Sequence, residues 1–162
     1  MIILGIDPGL AATGFGAIRK KGNKFELLEY GTILTKAKEQ FPIRLTQIYE
    51  QLDAVIKKHS PGVVAIEDLF FNKNVSSALS VGHARGVIVL KAAQAQKPIY
   101  SYTPLQVKSA VCGYGFAEKK QVQYMVQKLL NLKAPPKPDH AADAIAVAIC
   151  HAHSHRINSI SS

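Results

Sequence analysis

The chain is poor in cysteine and has no long hydrophobic run. Its only two cysteines, Cys112 and Cys150, lie far apart, which excludes both a disulfide framework and a four-thiolate zinc site. No apolar run approaches the roughly 20 residues needed to cross a bilayer. The short run Met1–Ile6 has neither a basic leader nor a cleavage-type site. These absences predict a cytoplasmic protein without a membrane segment.

Acidic residues are also scarce, with 11 Asp and Glu against 20 Lys and Arg and a net charge of +9. The basic excess predicts a polyanionic partner, nucleic acid first, because Lys and Arg release counterions when they bind phosphates. Five of the acids fall in three short stretches, at Asp7, Glu67, Asp68, Asp139 and Asp143. Scarce carboxylates concentrated in this way indicate cation binding within a positive surface.

The length and the hydrophobic patterning predict a single α/β domain. At 162 residues and 48% hydrophobic content, the chain is sufficient for one well-buried core and short for two. We expect the domain to span 1–156, followed by a frayed tail over 157–162. Apolar periodicity predicts strands at 2–6, 13–18, 25–33, 63–66 and 99–102, and helices at 44–58, 74–95, from 103, from 118 and at 139–151.

Chemistry-bearing side chains stand at the ends of these elements. Asp7 follows the first strand at a Pro-Gly turn, and Glu67 ends the fourth. If the two strands are adjacent and parallel, both carboxylates emerge at the edge where α/β sheets bind ligands. His140 and Asp143 are three residues apart and share one helix face. Together they predict a site for Mg²⁺ or Mn²⁺, and two such ions activate water and stabilise the leaving oxygen of a phosphodiester.

Several motifs resemble the RuvC family of Holliday-junction resolvases over nearly the whole chain: 6–9 (IDPG), 13–16 (TGFG), 65–67 (AIE), 106–108 (QVK), 117–119 (AEK) and 139–144 (DHAADA). The resemblance implies a ribonuclease-H-like fold, a mixed five-stranded sheet flanked by helices. It also implies a homodimer that resolves four-way DNA junctions by paired symmetric nicks, leaving 5′-phosphate and 3′-hydroxyl ends, in recombination and repair. Two Mg²⁺ per active site, replaceable by Mn²⁺, and cooperation with a branch-migration motor complex are further implications.

By the same resemblance, Asp7, Glu67 and Asp143 match the metal-binding carboxylates of the family. His140 occupies the fourth ligand position, where many members have Asp. The neighbouring Asp139 is the alternative ligand, but adjacent helical residues differ by about 100° in direction, so only one of the two can face the site. We favour His140.

Further positions match residues of the family that contact DNA. Lys108 and Lys119 correspond to basic residues at the active site, with phosphate contact and transition-state stabilisation as reasonable roles. Phe70 matches an aromatic residue that stacks on a base. Further candidates for backbone contact are Lys73, Arg85 and Lys120. The helix containing Ala78, Gly82 and Gly86 is the candidate dimer surface, and His151, His153 and His155 are interpreted as tail.

Three other functions compete with junction resolution. A module that binds branched nucleic acid without cutting it, or a ribonuclease-H-like hydrolase of RNA–DNA hybrids, would share much of the sequence pattern. A phosphate loop is the third alternative, because Asp7-Pro8-Gly9 followed by Thr13-Gly14 resembles the first phosphate hairpin of actin-like and sugar kinases. The absence of a second Asp-Gly hairpin disfavours the kinase.

Overall fold

A central mixed sheet carries helices on both faces in the computed structural model, which describes residues 1–68 and 75–160 and side chains as far as residue 154. The strands are β1 (Ile2–Asp7), β2 (Ala12–Lys21), β3 (Lys24–Leu34), β4 (Val63–Glu67) and β5 (Ile99–Tyr102). The helices are α1 (Phe41–His59), α2 (Val75–Gln94), α3 (Pro104–Cys112), α4 (Lys119–Leu129) and α5 (Asp139–Ile160). The predicted α/β class and five-stranded mixed sheet are confirmed.

The sheet has the order β3-β2-β1-β4-β5, with β1 at its centre. β1 pairs antiparallel with β2 and parallel with β4, and Ile6 lies opposite Ile66 in the parallel register. The predicted adjacency of the two parallel strands is therefore confirmed. Because parallel strands end at the same edge, this register brings the next residues, Asp7 and Glu67, to one edge of the sheet.

Alternating residues of the central strands fill two separate hydrophobic cores. Ile3 and Ala65 point to the core shared with α3, α4 and α5, whereas Leu4 and Ile66 point to the core shared with α1 and α2. Both faces of β1 and β4 are therefore buried, and a strand without a solvent-exposed face is apolar at nearly every position, as these two strands are.

Several helix boundaries differ from those expected. α1 begins at Phe41 rather than at Arg44, because a proline in its first turn favours helix initiation. The start of α3, in contrast, is confirmed: the helix begins after Thr103, whose hydroxyl accepts a hydrogen bond from Gln106 N, 3.2 Å away. α5 runs to Ile160 rather than ending near 151. None of the described helices is both long and apolar enough to span a membrane.

The interpretation of the C-terminal histidines as tail is wrong for His151 and His153. His151 is only 1% exposed, and its Nδ1 lies 2.7 Å from the hydroxyl oxygen of Tyr102. His153 donates from Nδ1 to the carbonyl oxygen of Ala110 at 2.9 Å. These imidazoles of α5 can lie inside the fold, His151 buried and His153 partly buried, because β5 and α3 supply their hydrogen-bond partners. The side chain of His155 lies beyond the described part, and the division between a 1–156 domain and a 157–162 tail stays a prediction.

Candidate active site

Four polar side chains meet at the edge of the sheet where β1 and β4 end. Asp7 is 9% exposed at the end of β1, and Glu67 ends β4. His140 and Asp143 come from the first turns of α5, and Nδ1 of His140 lies 2.7 Å from Oδ2 of Asp7. One ligand atom each from Asp7, His140 and Asp143 falls within a mutual distance of 4.8 Å. Glu67 lies close enough for the charges of Asp7 and Asp143 to raise the pKa of its carboxyl group. We call these four residues the acidic cluster.

Glycines in the sheet allow α5 to lie close enough to complete this cluster. A Cβ atom added to Gly14 would overlap the backbone carbonyl of His140, and one added to Gly5 would overlap that of Ala144. Gly16, paired with Gly5 across β1 and β2, lies against Ile145 in the same way. The sequence contained these glycines, but only the pairing of the strands shows that they form one surface under the helix.

Gly14→Ala is expected to destabilise the fold by about 1–3 kcal/mol, because the added methyl group must push α5 away from the sheet. The same movement displaces His140 and Asp143, so DNA cleavage should fall as well. Chemical denaturation and a cleavage assay measure the two effects. Gly62→Ala, before β4, is the matched control, since the added Cβ would meet no atom closer than 3.6 Å, an ordinary contact distance. Equal stability of the two variants would contradict this account of the helix position.

The surroundings of Glu67 and Asp143 in the acidic cluster disfavour the ionised form of their carboxyl groups. Burial, together with the charges of Asp7 and Asp143 and a hydrogen bond to Asp7, raises the pKa of Glu67 to about 8. Burial also raises the pKa of Asp143, although Lys119 opposes the shift. A divalent cation would relieve this repulsion, because it binds carboxylates in their charged form.

The raised pKa of Glu67 makes stability depend on pH when divalent metals are removed. A carboxyl group with a higher pKa in the folded state binds more protons there than in the unfolded chain. Stability in EDTA should therefore fall as the pH rises from about 5 to about 8, and Glu67→Gln should reduce this fall. Urea denaturation across this range measures both, with Glu50→Gln on the exposed face of α1 as the control. If the free energy of unfolding changed with pH in the same way for wild type and for Glu67→Gln, Glu67 would not be the group responsible for the pH dependence.

Two lysines stand beside the acidic cluster. Nζ of Lys119 lies 3.1 Å from Oδ2 of Asp143 and 3.3 Å from Oδ2 of Asp139. Burial works against the charge of Lys119, but the two carboxylates outweigh it and raise its pKa. Lys108 and Lys119 line a cavity of about 210 Å³ together with Glu67 and Asp143. The structure thus brings both predicted lysines to the cluster.

Asp139 lies outside the acidic cluster. Its side chain is 62% exposed, and besides Lys119 it accepts a hydrogen bond from the amide of Gln123 at 3.0 Å. His140, one residue later, points instead to Asp7. The direction of the two side chains agrees with the expected rotation of about 100° between helical neighbours.

The other predicted DNA contacts lie in different surroundings. Lys120 is exposed at the start of α4. Arg85 is partly buried and donates from Nη2 to the hydroxyl of Ser101 at 2.7 Å, with Asp68 at 3.3 Å. Phe70 and Lys73 lie outside the described residues, so their predicted contacts stay predictions.

Hydrogen bonds that the sequence did not reveal hold the loop after Asp7. Thr13 donates to the carbonyl of Gly9 at 2.6 Å, and Thr35 donates to that of Leu10 at the same distance. Thr35 follows β3, far from the loop in sequence, and no local motif connects the two. The backbone beside the acidic cluster is therefore fixed by Thr13 of β2 and by Thr35, which follows β3.

Comparison with known proteins agrees with this geometry. The family model described as crossover junction endodeoxyribonuclease RuvC matches residues 3–151. The chain belongs to the RuvC family. Among its relatives is RuvC of Alkaliphilus metalliredigens, 58% identical over 160 residues that cover 99% of this chain and 98% of the relative. RuvC of Alkaliphilus oremlandii is 60% identical over 154 residues, or 95% and 94% of the two chains.

A solved structure of the family supports the same assignment. Thermus thermophilus RuvC in complex with a Holliday junction substrate superimposes with a TM-score of 0.93 at 37% identity, covering 98% of this chain and 96% of that one. The yeast mitochondrial Holliday junction resolvase Ydc2, at 16% identity, superimposes with a TM-score of 0.64 over 96% and 83% of the two chains and shows the shared fold alone. The predicted family resemblance and ribonuclease-H-like fold are confirmed.

Proposed function

We propose that this RuvC family member resolves four-way DNA junctions by paired symmetric nicks, leaving 5′-phosphate and 3′-hydroxyl ends, in recombination and repair. The observation that supports the proposal most directly is the acidic cluster of Asp7, Glu67, His140 and Asp143 at one edge of the sheet. Three carboxylates and an imidazole beside two lysines suit phosphodiester hydrolysis, which a metal at the phosphate and positive charge around it accelerate.

The donor set of the acidic cluster suits Mg²⁺, with Mn²⁺ as a substitute, because oxygen ligands predominate. Asp7, Glu67, His140 and Asp143 would hold two ions per site, which would supply an activated water and stabilise the leaving oxygen. The residues themselves supply the negative charge that recruits the cations. Lys108 and Lys119 would contact phosphate oxygens and stabilise the charge that develops on them. Phe70, Lys73, Arg85 and Lys120 are the further proposed DNA contacts.

A cleavage assay tests the proposal directly. The purified chain is incubated with a labelled synthetic four-way junction and Mg²⁺, beside linear duplex and RNA–DNA hybrid controls. We expect paired nicks in the junction and intact controls. Binding to the junction without cleavage would favour the non-cleaving module, and cleavage of the hybrid alone would favour the ribonuclease-H-like alternative.

We also propose that the active form is a homodimer, since one site per chain cannot place two symmetric nicks. An apolar stripe is exposed along one side of α2. It consists of Val75, Leu79, Gly86 and Leu90, which follow one another at intervals of four, seven and four positions. Such a stripe on one helix suits an isologous interface. Cooperation of this dimer with a branch-migration motor complex in the cytoplasm is part of the same proposal.

Leu79→Glu tests the dimer, because it places a charge in the middle of the apolar stripe. Light scattering should show a monomer, and the junction should receive uncoupled single nicks. Leu34→Glu, at a leucine that is 68% exposed at the end of β3, is the control and should remain dimeric. A monomeric wild type that still makes coupled nicks would overturn the proposed assembly.

A further inference from the structure

A second cleft opens on another side of the acidic cluster. It has a volume of about 410 Å³ and is lined by the loop after Asp7, by α1 at Arg44, by the start of α2 at Ser77 and Ser80, and by His140. The cavity with the two lysines reaches the cluster at Glu67 and Asp143, whereas this cleft reaches it at His140. No carboxylate is among the described residues that line the cleft.

Arg44 is held in this cleft by a chain of hydrogen bonds. Its Nε donates to the hydroxyl of Thr35 at 2.8 Å, and Thr35 donates in turn to the carbonyl of Leu10 at 2.6 Å. The backbone N–H of Thr35 donates to the carbonyl of Ala11 at 3.1 Å. The guanidinium is thereby fixed relative to the loop that follows Asp7, so that little side-chain entropy remains to be lost when a ligand binds.

The remaining donors of Arg44 have no partner in the described structure. Across 1–68 and 75–160, the guanidinium makes no ion pair and no hydrogen bond other than that to Thr35. A guanidinium presents five N–H donors in a planar fork that matches the oxygens of a phosphate. The hydroxyl of Ser77, exposed at the start of α2, adds a neutral donor to the same cleft.

We infer that Arg44 and Ser77 bind a non-scissile phosphate of the DNA strand whose scissile phosphate lies at the acidic cluster. A strand that crosses the cluster extends beyond it in two directions. Lys108 and Lys119 contact the strand on one side of the acidic cluster, and Arg44 contacts it on the other side, beyond His140. Arg44 is thus a positioning residue, and its role rests on the proposed nuclease function.

Arg44→Gln, compared with Arg19→Gln, tests the contact through the salt dependence of junction binding in EDTA. Both variants lose one positive charge, but Arg19 pairs with Glu26 and lies opposite Ile2, at the other end of β1 from Asp7. We expect Arg44→Gln to weaken binding about tenfold and to lower the slope of log K against log salt by about 1. Arg19→Gln should leave the slope unchanged. Equal slopes for the two variants would overturn the inference.

A methylphosphonate scan of the cleaved strand identifies the phosphate. Neutralising the phosphate that Arg44 contacts should weaken binding of the wild type and have no further effect on Arg44→Gln. Additive losses at every position near the scissile phosphate would show that Arg44 makes no such contact.

Ser77 provides a test that leaves Arg44 and its hydrogen bonds in place, should Arg44→Gln fail to fold. Ser77→Asp adds a negative charge to the cleft and should weaken junction binding about tenfold relative to the near-isosteric, neutral Ser77→Asn. Equal binding by the two variants would contradict a phosphate in the cleft. All these measurements follow binding in the absence of metal, so they do not depend on cleavage. A wild type that binds the junction but does not cut it when Mg²⁺ is added would therefore refute the nuclease function and leave the role of Arg44 in binding untouched.

Discussion

Asp7→Asn is expected to reduce junction cleavage by roughly 10³-fold or more while leaving junction binding nearly unchanged. Asp7 is the centre of the acidic cluster, since it contacts His140 at 2.7 Å and its charge helps to raise the pKa of Glu67. The asparagine side chain has nearly the same shape but lacks the negative charge that holds a divalent cation. Loss of that charge also slightly reduces the repulsion of DNA, so affinity should not fall.

Single-turnover cleavage and a binding titration separate the two effects of Asp7→Asn. Asp53→Asn is the matched control, because Asp53 pairs with Lys57 and Lys91 on the helices α1 and α2, outside the acidic cluster. It should cleave at the wild-type rate. Nicking by Asp7→Asn at that same rate would refute the metal site.

His140→Ala is expected to lower the cleavage rate by about 10²-fold, whereas Asp139→Ala should have little effect. The reason is the direction of the two side chains: His140 faces Asp7, and Asp139 faces Lys119 and Gln123. His140→Asp should retain substantial activity with Mg²⁺, because a carboxylate at this position provides the oxygen ligand that Mg²⁺ prefers. Initial rates at saturating Mg²⁺ measure all three variants.

The pair of alanine variants also checks the choice between neighbouring residues. Wild-type activity of His140→Ala together with an inactive Asp139→Ala would mean that α5 rotates when metal and DNA bind. In that case Asp139 would be the ligand, and the contact between His140 and Asp7 would belong to the metal-free protein alone.

Much of the fold was predictable because its signals are local. The apolar runs that end at Asp7 and Glu67 predict buried strands, and helical periodicity predicts α1, α2 and α4. Helix ends were predicted less well: α5 continues to Ile160, although the continuous apolar pattern of its sequence stops near Ala152. Apolar periodicity reports burial, and a helix can continue beyond the core that it buries.

The sequence by itself determined the residue types of the site, their spacing and the basic character of the chain. It placed His140 and Asp143 on one helix face because helical geometry is local. The tertiary structure alone decided that Asp7 lies beside His140, that Gly5, Gly14 and Gly16 let α5 approach the sheet, and that Thr35 holds Arg44 beside the site. These contacts join residues distant in sequence, and they depend on which strands pair and how closely the layers pack, which no local pattern encodes.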